Sequence, residues 1–84
     1  MKFSFHAKEK MEVYGLSSDK VAIALSNPIE KFYDVTYRSE VYIISFEGKF
    51  LVVVMEEEEV ITLYPSSREK VEKRRRAGRW ILKA

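Results

Sequence analysis

Eighty-four residues allow one hydrophobic core, burying roughly 60–65% of the surface the unfolded chain exposes, and leave no room for a second. Cysteine is absent, which excludes disulfide staples and thiolate chemistry, while the charged opening and the lack of any ~20-residue apolar run exclude a signal peptide and a membrane span. The formal charge of +2 conceals a division: residues 1–67 carry seven Lys or Arg against eleven Asp or Glu, and residues 68–84 carry eight against two, so the last fifth of a single cytoplasmic domain is where a polyanion would dock.

Residues 5–14 read as a first helix, with Ala7, Met11 and Tyr14 on one stripe and Lys8, Glu9 and Glu12 off it. Gly15 supplies a left-handed stop. Leu16 and Val21 have the spacing of a hydrophobic staple around a cap at Ser17, opening a second helix that Pro28 ends near Ser26. That helix is apolar on nearly every side, and Ile23 is the residue expected to stay exposed for another chain.

From residue 31 the period changes to alternation. Residues 32–38, 40–47, 49–55 and 59–64 each read as strands rich in β-branched and aromatic residues. Glu47 and Gly48 make the one sharp hairpin signal, because glycine takes the positive φ that a two-residue turn demands. The four glutamates at 56–59 read as a solvated turn in preference to a metal site, since no His or further Asp clusters with them.

Short links between consecutive strands favour an α+β fold: two N-terminal helices on one face of a four-stranded antiparallel meander, then a basic C-terminal helix. That third helix opens at the capping-box pair Ser66 and Glu69 and runs to about Ala77, with Gly78 past its end. Trp80, Ile81 and Leu82 form an apolar tail that packs on its own domain or on a partner.

The third helix carries Arg68, Lys70, Lys73, Arg74, Arg75 and Arg76, with Val71 its only large apolar residue. So thin a stripe leaves long cationic side chains facing water or a ligand, which suits a phosphate backbone; a plain solvated helix or one docked on an acidic protein has the same charge pattern. His6 is the sole imidazole and a candidate acid or base, and Lys10 lies one turn along the same helix. Tyr64 ends the last strand just before the basic helix, so its hydroxyl can face the same groove as Arg68. A lone His excludes a multi-histidine zinc site, three glycines are too few for a phosphate-cradling loop, and no cofactor is implied. If the protein is an enzyme, its chemistry runs on Arg, Lys, Tyr and His without a metal, and RNA cleavage fits that inventory: the substrate's own 2′-OH attacks while the protein positions phosphate, stabilises charge and moves protons.

The run from His6 to Met11, Gly15-Leu16-Ser17, Val21 to Leu25 with Asn27-Pro28, and the later runs 51–54 and 60–68 resemble a family of small uncharacterised domains related to the BrnT toxins. The resemblance implies a RelE-like or BrnT-like fold and an RNA-cutting toxin silenced by an antitoxin, with His6, Lys10, Tyr64 and Arg68 as the carried-over site. The family often has Arg where this chain has Lys10 and Tyr14, and Lys does not reproduce a bidentate phosphate grip. The expected partners are RNA, including ribosome-bound mRNA, an antitoxin protein and a second copy of the chain. A binding module without catalysis, or a purely protein-binding role through Ile23 and residues 80–82, is the alternative.

Overall fold

The computed structural model describes residues 1–83. Strand β1 (Lys2–Phe3) leads into α1 (Phe5–Tyr14), whose cap Ser4 accepts a hydrogen bond from the Ala7 N–H at 3.0 Å and donates one to the Ile61 carbonyl at 2.6 Å. A left-handed Gly15 (φ 68°) ends α1, with the Leu16 N–H returning to the Met11 carbonyl at 2.8 Å. Ser17 caps α2 (Ser18–Leu25) as its spacing predicts. Strands β2 (Glu30–Asp34), β3 (Ser39–Phe46), β4 (Lys49–Glu56) and β5 (Glu59–Ser66) follow, then α3 (Arg68–Arg76) and β6 (Trp80–Leu82).

The expected four-stranded antiparallel sheet of RelE/BrnT-like type is overturned. The sheet has six strands in the order β1-β5-β4-β3-β2-β6, and it is mixed, because β1 runs parallel to β5 while every other pair is antiparallel. The four central strands form the predicted meander; the two additions are edge strands of two and three residues, too short to show alternation. The class remains α+β, with three helices.

Two boundaries also move, each for a local reason. The strand expected over residues 32–38 stops at Asp34, because its Oδ1 accepts the backbone N–H groups of Thr36 (2.9 Å) and Tyr37 (3.0 Å) and folds the chain into a turn. The cap of α3 is Ser67, accepting from the Lys70 N–H, and not Ser66, which is held in β5 opposite Phe50. The capping box with Glu69 therefore does not form.

Alternation along the strands divides the core in two. Ala7, Met11, Leu16, Val21 and Leu25 of the α1 and α2 segment pack against Ile44, Leu51, Val53, Met55, Val60 and Leu63. The opposite face presents Phe32, Val41, Ile43 and Val52 to Val71 of α3 and to Trp80, whose ring centroid lies 5.6 Å from that of Phe32. In β5, Thr62 pairs with Val54 but Val60 pairs with Met55, so Ile61 is an extra residue forming a β-bulge. No helix among the described residues is long and apolar enough to cross a membrane.

The glutamate turn between β4 and β5 holds two consecutive non-glycine residues in the left-handed region, Glu57 (φ 47°) and Glu58 (φ 66°), and Glu56 faces Glu59 across the ladder. Both conformation and charge oppose folding there. Replacing the pair with Asn and Gly (E57N/E58G) is expected to stabilise the domain by about 1 kcal/mol, read as a melting temperature several degrees higher.

Candidate nucleic-acid interface

Gly78, at φ 77°, reverses the chain after α3: the Gly78 N–H returns to the Arg75 carbonyl at 2.9 Å and the Arg79 N–H to the Arg74 carbonyl at 3.2 Å. The reversal delivers Arg79 and Trp80 onto Asp34. This carboxylate, 3% exposed, accepts the Arg79 Nε–H at 3.2 Å and the Trp80 indole N–H at 3.0 Å beside its two backbone donors. Burial on its own pushes the carboxyl pKa up; the hydrogen bonds from Tyr37, Trp80 and Thr36 and the charge of Arg79 outweigh it and hold the group below the ordinary aspartate range.

Against this anchor the basic helix closes a groove of about 420 Å³ lined by Tyr64, Ser66, Lys70, Lys73, Arg74 and Arg79. No carboxylate lines it. Among the described residues none lies within 4.0 Å of the charged ends of Lys70, Lys73 or Arg74. Arg74 stacks on the Trp80 ring at 5.3 Å, which fixes its guanidinium without neutralising it. Burial raises the Tyr64 pKa, although Arg74 and Arg79 draw it down, so the phenol keeps its proton near neutral pH and can act as a donor.

The residues singled out by sequence fall into separate places. His6 is exposed and Lys10 half-buried on α1, whose Ala7 and Met11 pack on one face of the sheet; Tyr64 lies on the other. The sheet therefore stands between His6 with Lys10 and Tyr64 with Arg68. Arg68 is also tied down: its Nη1 donates to Glu30 at 2.6 Å and to Glu72 at 3.4 Å, and its guanidinium lies over the Phe50 ring at 5.2 Å. Arg75 pairs with Glu72 at 3.3 Å and stacks 5.9 Å from Phe32. Of the five cations expected to bind nucleic acid, Lys70, Lys73 and Arg74 line the groove, whereas Arg75 and Arg76 do not.

Arg79 was not singled out by sequence, because it lies beyond the helix and Gly78 rather than in the basic run. Ser66 was read as a cap and not as a groove residue. Of the apolar residues considered for a partner, Trp80 is 4% exposed within its own core, while Ile23 is 71% exposed, with Ile81 and Leu82 also on the surface.

The depressed Asp34 pKa has a definite sign. A carboxyl held below its unfolded value stabilises the fold fully above about pH 4, and that contribution disappears as pH falls through the folded value. Asp34→Asn is expected to cost about 3 kcal/mol at pH 7, by leaving buried donors poorly matched. Thermal melts across pH check this: the gap between wild type and D34N closes as the solution is acidified. A scan against protein-family models and searches of curated proteins and of solved structures return no match to this chain.

Proposed function

We propose that this protein is a toxin-like RNA-acting domain that holds a single RNA strand by its phosphates in the groove between α3 and the end of β5. The observation that carries the reading is a concave surface with four cations and no lining carboxylate. Phosphate oxygens meet Lys70, Lys73, Arg74 and Arg79, and the Tyr64 hydroxyl donates to one of them. Arg79 keeps its Nη groups for ligand while its Nε binds Asp34, so the strongest donor fork is already oriented. The resemblance to BrnT-related domains favours RNA over DNA, a cytoplasmic setting and an antitoxin partner.

Binding of a single-stranded RNA should weaken with salt, log affinity falling with log salt at about −0.7 per phosphate neutralised. Neutralising Lys73 and Arg74 (K73M/R74M) is expected to reduce that slope by roughly one to two and to weaken binding to all sequences alike. Fluorescence anisotropy over a salt series reads both. An unchanged slope in the double variant would remove the groove from the interaction.

A second reading, strand cleavage, is favoured by a protonated Tyr64 close enough to Arg74 and Arg79 to feel their charge. The substrate 2′-oxygen attacks phosphorus and loses its proton to water; the phosphate closes to a 2′,3′-cyclic ester, and the departing 5′-oxygen takes the Tyr64 proton. The two guanidiniums stabilise the charge on the pentacoordinate phosphate. Tyr64→Phe should abolish cleavage while leaving affinity within about threefold, since one hydrogen bond is removed. His6→Ala, altered on the far side of the sheet, should cleave normally. Gel assays with a 2′-deoxy substitution at the scissile nucleotide test the same step from the substrate side.

A further inference from the structure

Next to the phosphate groove, and sharing Tyr64 and Arg79 with it, lies a second cavity of about 330 Å³. No residue of α3, which is nine residues long, lines it. At its floor is Ser39, 3% exposed, whose Oγ has no hydrogen-bond partner among the described residues. A buried hydroxyl without a partner calls for an explanation, and here it lines a cavity.

The walls say what kind of group would supply the missing partner. Tyr37 and Tyr64 are aromatic, Val54 and Ile61 are apolar, and Arg79 stacks over the Tyr37 ring at 4.8 Å. This suits a flat, weakly polar ring, because every nucleobase has a π-face for such walls. A phosphate is disfavoured: the Asp34 and Glu56 carboxylates line the same cavity, and Glu57, Glu58 and Glu59 continue the negative charge along the adjoining turn. The electrostatics thus sort a nucleotide, its phosphate toward α3 and its base toward the glutamate turn.

Resting on the RNA-binding reading above, we propose that this cavity takes one unstacked nucleobase and prefers a base with an exocyclic amino group, such as adenine, cytosine or guanine, over uracil. Glu56 brings two carboxylate oxygens as acceptors, and the Ser39 and Thr62 hydroxyls both accept as well as donate. An edge so rich in acceptors pairs with an amino group. Uracil presents carbonyl oxygens at the equivalent edge and leaves the carboxylate facing an acceptor.

Trp80, the sole tryptophan, lines the cavity, so its indole N–H gives one nitrogen-correlated proton resonance that reports occupancy. The test titrates this resonance with adenosine, cytidine and uridine, which carry no phosphate, and measures affinity for homopolymeric RNAs of A, C and U of equal length. Adenosine and cytidine should move the resonance and uridine much less, with the polymers ranked the same way. Ser39→Val should lower that preference roughly fivefold, as expected for one lost hydrogen bond. Glu56→Gln, an exposed change that keeps the fold, should narrow it without altering the salt slope.

The K73M/R74M variant should lose polymer affinity yet keep the nucleoside-induced shift, which separates the two sites. Equal polymer affinities with an unmoved indole resonance would overturn the base cavity, mark it as water-filled only, and leave the phosphate groove standing. Nucleoside shifts without polymer binding would instead overturn the RNA-strand reading and leave a base-binding cavity. Loss of both signals in the wild type overturns both.

Discussion

One buried carboxylate organises this molecule. Asp34 accepts two backbone N–H groups from the turn after β2 and two side-chain N–H groups from the segment after α3. Besides it, β6 is held at the sheet edge by three residue pairs with β2 and by Trp80 packed on Phe32. With it, Trp80 is seated under Arg74 and Arg79 is aimed beside Tyr64. The low pKa and the shape of the groove are two results of the same four donors. An isolated buried carboxylate would be costly, and saturation of its lone pairs is what makes this one tolerable.

The basic helix makes a second use of aromatic surface. α3 has a single buried side chain, Val71, which is little for anchoring a helix by burial alone. Arg68, Arg74 and Arg75 compensate by stacking on Phe50, Trp80 and Phe32. Cations on one side of the helix thus serve as packing groups, and Glu30 and Glu72 neutralise part of them. The sequence-based expectation that these long cations face water or a ligand holds for only part of the run: Arg68 and Arg75 are paired with the chain's own carboxylates, Lys70, Lys73 and Arg76 lack internal partners among the described residues, and Arg74 is stacked but unpaired.

What was legible in the sequence follows from range. The caps at Ser17 and Gly15, the exposed Ile23, the Ala7 and Met11 stripe and the four central strands are set by neighbours a few residues away, and they were readable, whereas Tyr14, expected on the same stripe, is exposed at the end of α1. β1 and β6 were not, because two or three residues carry no periodic signal and pair only when the sheet offers an edge. The spacing of His6 and Lys10 correctly predicts adjacent positions on one helix. Which face of the sheet that helix would cover, and which face α3 would, depends on the hand of long-range packing, and this parts them from Tyr64. Asp34 and Ser39 had no local motif to mark them; their importance arises from partners found or missing far along the chain.

The extra residue in β5 has a wider consequence. By pleat parity alone, residues 60 and 62 would point the same way, yet Val60 sits in the core under α1 and α2 while Thr62 faces the α3 side. The irregularity at Ile61 is what permits this, and the Ser4 hydroxyl clamps the Ile61 carbonyl to the start of α1. The inserted residue thus gives β5 a spare carbonyl, and that carbonyl ties the sheet to the helical layer. Deleting Ile61 would leave Val60 opposite Met55 and Thr62 opposite Val54, each directed as now, and would remove instead the carbonyl by which β5 grips the first turn of α1.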